Sequence, residues 1–364
     1  MKILRLILAN LGRRRGRTLL TVLGVAFALA LLVLVESLAT GMARAMDSTD
    51  AARTLVVFRK NRYCPQTSFL PESYTRRIQG VDGVETVLPV KVYLNNCRAS
   101  LDLVTFQGAP VDDLLAQRSI EIVTGDAGEF ERRPDAALVG RQFAARKGLK
   151  LGDRFRFGDI DVSIVGTFRS EDATHESLIL THLEFLQRAG PVNRLGTVTQ
   201  FEVLAKSGAD VEGVAQKIDG LFATAEEPTD TRPRVAYLES ATRDLREILR
   251  FGRYLALACV VVVLSLVANT VLMSVQERVR ELGVLRALGF GELHIGTLVL
   301  GEAVVLSLFG AVIGVGGAIA ALLSTRLTIG SEGVSIGFAV TPGLVLQGVL
   351  VALVSGVIAG LIPA

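Results

Sequence analysis

Four long apolar runs divide the chain. They cover residues 18–35, 254–276, roughly 293–323 and roughly 342–364. A helix of about 20 apolar residues spans the hydrocarbon core of a bilayer, which is about 30 Å thick. The runs approach or exceed that length, so the pattern predicts four transmembrane helices.

The interval between the first and second runs has a different pattern. Short segments alternate between apolar and polar residues or show helical spacing, which predicts a domain of roughly 200 residues with its own core. Strands are predicted over 54–58, 84–94, 101–107, 120–123, 136–139, 197–204 and 234–237, and helices over 72–79, 111–117, 141–147 and 211–222. Residues 151–168 predict a hairpin that turns at Gly158 and Asp159. The predicted fold class is a membrane protein of four transmembrane α-helices, with a large α+β extracytoplasmic domain inserted between helices 1 and 2.

Helical spacing also precedes the second apolar run. Leu245, Ile248 and Leu249 share one face, so a single helix over 239–276 is predicted, roughly 57 Å long at 1.5 Å per residue. Its first part would stand out of the membrane as a stalk, and Gly252 is the expected kink. The predicted order is a basic amphipathic segment 1–17, span 18–40, outer domain 41–238, stalk 239–253, span 254–276, inner loop 277–292, span 293–323, outer loop 324–341 and span 342–364.

The distribution of basic residues predicts the orientation. Residues 1–17 contain six Lys or Arg and no acidic residue, and the loop 277–292 contains Arg278, Arg280 and Arg286. The outer loop has only Arg326. Under the positive-inside rule both chain ends lie in the cytoplasm, with the large domain outside, as in a bacterial inner-membrane protein. A cleaved signal peptide ending near Ala45 is the alternative, but the apolar run exceeds the usual length of such a peptide.

Overall composition excludes two broad classes. Half of the residues are hydrophobic, 21% are charged and the mean hydropathy is +0.45, which is too apolar for an ordinary soluble enzyme. The net charge is only +3, and no basic tract with interleaved aromatic residues occurs, so a nucleic-acid partner is not expected.

The inner loop contains the most informative stretch. In residues 276–289 an apolar residue recurs every three positions, and charged residues lie between them. Arg278 could pair with Glu281, and Glu277 with Arg280, at helical spacing. A solvated connector between two spans has the same composition. However, the string Arg-Val-Arg-Glu-Leu-Gly-Val-Leu-Arg-Ala-Leu-Gly closely resembles the coupling helix of FtsX/MacB-like ABC transporter permeases.

That resemblance implies a docking site for an ATP-binding subunit. The residues that would form it are Glu277, Arg278, Val279, Arg280, Glu281, Leu282, Gly283, Leu285, Arg286, Leu288 and Gly289. The arrangement of one span, a large domain and three further spans is similar to that of MacB-like permeases, whose extracytoplasmic core domain the interval 41–238 resembles. The chain contains no Walker A string, and only about 17 residues precede the first span, so ATP and Mg²⁺ are expected in a separate subunit. No cofactor or metal is expected in this chain.

The resemblance also implies a homodimer that carries two ATP-binding subunits. Family members continue from the fourth span into a short basic tail, which is expected beyond Ala364. Three functions share this architecture: efflux from the periplasm with an adaptor and an outer-membrane channel, extraction of lipoproteins or lipids, and FtsX-like mechanical activation of a cell-wall hydrolase. A receptor or scaffold without an ATPase would leave the coupling-helix sequence unexplained.

Other candidate sites have two interpretations each. Cys64 and Cys97 could form a disulfide in an oxidising compartment or be two unrelated buried residues, whereas Cys259 lies in an apolar run. Glu302 is a carboxylate within a span, so it is either functional or a structural residue that extends to the membrane interface or pairs with a loop arginine. Four glycines in small-xxx-small patterns could pack helices within the subunit or across a homodimer: Gly310, Gly314, Gly356 and Gly360.

Two further signals are assigned to chance. Residues 333–337 match the G-x-S-x-G string of hydrolases but lack its strand-to-helix context. His175, His182 and His294 have no spacing typical of a zinc site.

Overall fold

A computed structural model describes residues 15–46, 52–62, 65–94, 103–118, 120–170, 174–288, 291–325, 327–331 and 334–362. The chain divides into two compact units. The helical unit comprises Met1–Thr40, Glu247–Thr325 and Phe338–Ala364, and the sheet unit comprises Gly41–Arg246 and Arg326–Gly337.

In chain order, the first part of the chain forms the following elements: α1 Arg15–Met46, β1 Thr54–Arg59, β2 Leu70–Pro71, α2 Tyr74–Gln79, β3 Val84–Leu94, β4 Thr105–Ala109, α3 Val111–Gln117, β5 Ile120–Gly125, α4 Ala127–Arg132, β6 Ala136–Gly140, α5 Arg141–Lys147, β7 Arg154–Phe157, β8 Ile160–Ser170, β9 Ile179–His182 and α6 Leu183–Arg188. The remainder forms β10 Thr197–Val198, β11 Gln200–Ala205, α7 Val211–Leu221, β12 Thr229–Pro233, α8 Arg234–Ala241, α9 Arg243–Glu277, α10 Val279–Ala287, α11 Glu292–Thr325, β13 Thr328–Ser331, β14 Val334–Gly337 and α12 Pro342–Leu361.

The helical unit contains four helices long and apolar enough to cross a membrane, within the described residues: α1, α9, α11 and α12. Small and branched side chains form their common core, including Val25, Val267, Ala303 and Ala352. Large apolar side chains such as Leu346 remain exposed on the outer faces, as expected for helices whose solvent is lipid. The predicted four-span fold class is confirmed.

The sheet unit is built on a mixed sheet of the described strands, in the order β12-β1-β11-β3-β4-β9-β6-β8-β5, with β7 on β8. The β4–β9 and β6–β8 pairs are parallel and the other pairs in the sheet are antiparallel. Helices α2 and α7 cover one part of the sheet through buried residues that include Ile78, Phe201 and Ile218. The β7–β8 hairpin turns at Gly158 with φ +59°, as the sequence predicts.

Two predictions from the sequence are wrong. Residues 234–237 belong to helix α8 and not to a strand, because the strand β12 ends at Pro233. The predicted single helix over 239–276 is interrupted at Thr242, which separates α8 from α9. Helix α9 is continuous through Gly252, the position at which the sequence predicts a kink, and the absence of a side chain there leaves room for Val35 of α1.

The loop between α11 and α12 contains a small hairpin that was not predicted from the sequence. Strands β13 and β14 pair antiparallel, with Ile329 opposite Ile336. Arg146 of α5 donates hydrogen bonds to the Thr328 hydroxyl and to the Leu103 carbonyl, so the hairpin is attached to the sheet unit to which it belongs. The G-x-S-x-G string falls here, with residues 334–337 in a strand, and Gly333 lies outside the described residues.

Candidate coupling site

Helix α10 is a separate short helix between two membrane helices. Glu277 ends α9, and Arg278 leaves the helical conformation with φ −114° and ψ 12°. Val279 then begins α10, and the Leu288 N–H closes its last turn on the Val284 carbonyl at 3.0 Å. One residue therefore separates a helix that can cross a membrane from a helix of nine residues.

Three large apolar side chains are exposed on α10 and at its C-terminal cap. Val279 and Val284 are each 60% exposed and Leu288 is 71% exposed. Gly283, Arg280 and Arg286 are exposed as well. Val284 and Leu288 are four residues apart and share one side of the helix, whereas Val279 lies roughly 140° around the axis from Val284. Neighbouring apolar side chains that remain exposed on a short loop helix are typical of a surface that binds another protein. Val284 was not among the predicted docking residues, because it does not fit the three-residue spacing of the apolar positions.

Several predicted docking residues lie outside this description. The side chains of Glu281, Leu282 and Leu285 and all of Gly289 are not among the described atoms. Cys64 and Cys97 also lie outside the described residues, so their pairing stays a prediction.

Two predicted docking residues bind other membrane helices. The Arg17 guanidinium of α1 donates to Glu277 Oε1 at 2.9 Å. Arg278 Nη1 donates to Glu302 Oε1 of α11 at 2.8 Å, and the Ser274 hydroxyl donates to Glu302 Oε2 at 3.3 Å. Glu302 is therefore paired with Arg278 of the loop between α9 and α11, as one of the two interpretations of this carboxylate predicted.

The four glycines of the small-xxx-small patterns face helices of the same chain. A Cβ on Gly310 would collide with Val25, and one on Gly314 would collide with the Ala26 backbone of α1. On α12, a Cβ at Gly356 would lie 2.9 Å from the Cα of Val304, and one at Gly360 would lie 2.9 Å from the Cβ of Ala303. These positions allow close helix contacts within the chain.

The sheet unit contains a buried ion pair that the sequence reading did not single out. Arg118 Nη2 donates to Glu202 Oε1 at 2.9 Å, and their side chains are 3% and 13% exposed. Burial alone would raise the pKa of Glu202, but Arg118, together with Arg234 and His175, holds it below its ordinary value. Glu202 also lines a cavity of about 50 Å³, which is too small for a drug-sized ligand.

The histidines make ordinary structural contacts. His175 Nδ1 lies 3.3 Å from the Ser170 hydroxyl, and His182 Nε2 lies 2.6 Å from the Phe130 carbonyl. Within the described ranges, no group of three His, Cys, Asp or Glu side chains could hold a metal ion.

Comparison with known proteins identifies both halves of the chain. A model of the MacB-like periplasmic core domain matches residues 18–221, and a model of the FtsX-like permease C-terminal domain matches residues 254–364. No curated protein sequence matches the chain.

Several solved structures are similar to the chain, among them the following two. The first is the periplasmic region of MacB from Actinobacillus actinomycetemcomitans, at 9% identity and a TM-score of 0.38, with 52% of this chain and 92% of that chain covered. The second is the extracellular domain of the noncanonic ABC-type transporter YknZ from Gram-positive bacteria, at 15% identity and a TM-score of 0.36, with 49% and 99% covered. Because the first family model alone matches more than half of the residues, the chain belongs to the MacB/FtsX-like family of ABC transporter permeases.

Proposed function

We propose that this chain couples ATP hydrolysis in a separate subunit to movement of its extracytoplasmic domain, and that the movement expels a periplasmic substrate. The family supplies the coarse assignment to the membrane component of an ABC transporter, with the ATPase in another subunit. We propose in addition where the ATP-binding subunit docks, in which direction the substrate moves and which further partners take part.

The observation that carries it is a pair of exposed apolar side chains, Val284 of α10 and Leu288 at its C-terminal cap, which lie four residues apart and therefore on one side of the helix. Connections of a few residues join α10 to two membrane helices. Burying such side chains in a groove of a partner stabilises the complex by roughly 1.5–3 kcal/mol per residue. Arg280 lies four residues before Val284, on the same side of the helix, and would help to set the register of the complex by pairing with an acidic group of the partner.

In this mechanism two copies of the chain form a homodimer in the bacterial inner membrane, with both chain ends in the cytoplasm. ATP and Mg²⁺ are bound by the two ATP-binding subunits, whose closure displaces α10. Helices α9 and α11 flank α10 in the chain, so they receive the displacement and move the domain outside the membrane.

Efflux is the preferred use of this motion because the extracytoplasmic domain is large. It includes a ten-stranded sheet of the described strands, which provides ample surface for a substrate and for an adaptor that leads to an outer-membrane channel. Lipoprotein or lipid extraction would use the same surface. A pure mechanical switch for a cell-wall hydrolase requires less of it.

The test is a pull-down of the tagged full-length chain from native membranes, with partners identified by mass spectrometry. We expect an ATP-binding subunit, an adaptor and an outer-membrane channel. Recovery of a cell-wall hydrolase in place of the adaptor would overturn the efflux proposal. Recovery of no ATPase, under conditions that preserve a control ABC complex, would overturn the coupling proposal.

A pair of variants tests the docking surface directly. Val284→Asp places a charge in the proposed contact and should lower the affinity for the ATP-binding subunit by at least about tenfold, or 1.4 kcal/mol. Val192→Asp is the matched control, because Val192 is also exposed but lies in the sheet unit. Equal binding by the two variants would show that α10 is not the docking helix.

A further inference from the structure

The junction between α9 and α10, which we call the elbow, is held by side-chain contacts with two other helices. A single non-helical residue, Arg278, connects the two helices. Backbone at one such residue can rotate about two dihedral angles, so the connection by itself does not fix the direction of α10. The two residues at the elbow instead bind two other helices through their side chains.

The two contacts differ in strength. Glu277 binds Arg17 at 2.9 Å, and both side chains are partly exposed to solvent. Exposed pairs of this kind contribute about 1 kcal/mol or less. Arg278 and Glu302, at 2.8 Å, have side chains that are only 15% and 6% exposed. Removing one partner of a buried pair leaves an uncompensated charge, which is strongly destabilising.

Glu302 is held at both of its oxygens. Oε1 accepts from Arg278 and Oε2 accepts from the Ser274 hydroxyl of α9. The Glu302 carboxylate of α11 therefore binds both the last turn of α9 and Arg278, the residue that connects α9 to α10. A carboxylate with both oxygens engaged has little freedom to move separately from either helix.

We propose that Arg278 and Glu302 are positioning residues that fix the direction of α10 relative to α9 and α11. This rests on the proposed function for the source of the force, and it gives Arg278 a role inside the permease in place of direct docking. Force applied to the exposed face of α10 is then delivered to α11 through the ion pair. Without the pair, the elbow bends and the force is dissipated.

The first test needs no partner protein. Amide hydrogen exchange of the full-length chain in lipid nanodiscs is measured for peptides that cover α10 and the elbow. We expect Arg278→Gln and Glu302→Gln each to accelerate exchange there by at least about tenfold, because local opening becomes easier. Arg280→Gln is the matched control, since Arg280 is an exposed arginine on the same helix, and it should exchange at the wild-type rate.

Charge exchange separates positioning from general damage. The double variant Arg278→Glu with Glu302→Arg should recover most of the protection that either single variant loses, and Arg278→Lys should retain it. Wild-type exchange in both neutral variants would overturn the proposal. A double variant that exchanges as fast as the single variants would also overturn it. The double variant applies the same test if a single variant fails to fold, because restored pairing should then restore folding.

A second readout distinguishes this inference from the proposed function. The ATP-binding subunit is recovered from native membranes, and its affinity for the chain is measured together with its ATP turnover. Glu302→Gln should change this affinity by no more than about twofold. The same variant should lower the chain's stimulation of ATP turnover by about tenfold or more. Loss of affinity in Glu302→Gln would overturn the positioning role. If Val284→Asp binds the ATP-binding subunit with unchanged affinity, the proposed docking surface is wrong, whereas the conclusion from hydrogen exchange about Arg278 and Glu302 is unaffected.

Discussion

Arg253 of α9 donates two hydrogen bonds to Glu36 of α1, from Nε to Oε1 at 2.8 Å and from Nη2 to Oε2 at 3.0 Å. The same two helices are joined again by the ion pair of Arg17 with Glu277. Arg17 and Glu36 lie roughly 28 Å apart along α1 at 1.5 Å per residue. That length is close to the thickness of a hydrocarbon core, which is the separation expected of two ion pairs at opposite boundaries of a membrane.

The Glu36–Arg253 pair should contribute measurably to stability. A two-bond geometry between arginine and carboxylate is stronger than a single contact, so a double-mutant cycle with Glu36→Gln and Arg253→Gln should give a coupling of about 1 kcal/mol. Thermal unfolding in nanodiscs measures it. The exposed pair of Arg188 with Glu184 is the control and should give a coupling near zero. Equal couplings in the two cycles would contradict the special status of the membrane pair.

Glycine substitutions should separate tight helix contacts from lipid-facing positions. Gly314→Val places a side chain against the Ala26 backbone, so it should destabilise the helical unit by about 1–3 kcal/mol. Gly317→Val, on the same helix, should have little effect because a Cβ there meets no atom within 4 Å. Thermal unfolding and the oligomeric state are measured together. A change of oligomeric state in Gly314→Val without loss of stability would favour a homodimer contact at this glycine.

The buried Arg118–Glu202 pair should be important for the sheet unit. Glu202→Gln leaves Arg118 buried without a counter-charge and should destabilise the unit by about 3–5 kcal/mol. Glu121→Gln is the control, because Glu121 faces Arg169 at 3.8 Å on the surface. Limited proteolysis of the full-length chain checks both variants, and similar resistance in the two would contradict the prediction.

The same pair predicts a dependence on acid pH. The folded-state pKa of Glu202 is lower than its ordinary value, so the stabilisation is complete above about pH 4.3 and is lost as the pH falls through the folded pKa. The stability of Glu202→Gln should therefore fall less steeply with acid than that of the wild-type chain. Parallel acid profiles for the two proteins would show that Glu202 does not titrate as described.

Lys91 predicts a second pH dependence, in the alkaline range. Its Nζ donates to the carbonyl and hydroxyl of Thr197, and burial, followed by the charge of Arg194, lowers its pKa from 10.5 to about 8. Between these pH values the unfolded chain binds more protons than the folded chain, so stability rises from about pH 8 to about pH 10.5. In Lys91→Met this rise should be smaller. Thermal unfolding of the full-length chain across that range measures the difference, and an unchanged slope would contradict the lowered pKa.

The parts of the fold with a strong local pattern could be predicted from the sequence. Four apolar runs were long enough to identify the spans, and the alternating residues around Gly158 were enough for the β7–β8 hairpin. In both cases neighbours in sequence decide the structure, through hydrophobic length or through turn geometry.

The parts that depend on distant contacts could not be predicted. Helical spacing predicts that Glu277 pairs with Arg280 and that Arg278 pairs with Glu281. In the structure Glu277 pairs with Arg17, and Arg278 pairs with Glu302, which are distant in sequence. The short segment from Arg234 reads as a strand, but the buried contacts of Leu238 favour a helix after Pro233. Such outcomes are set by tertiary packing, which overrides weak local preference.

The division of the chain has a mechanical consequence. The backbone passes between the two units at four places, near Thr40, Arg246, Thr325 and Gly337, which is once for each of the four membrane helices. The backbone therefore links the sheet unit to all four membrane helices. If one helix slides or turns by itself, the backbone at its connection is strained, whereas a concerted movement of all four helices is not opposed in this way. Four covalent connections thus favour concerted movements of the helices over independent ones.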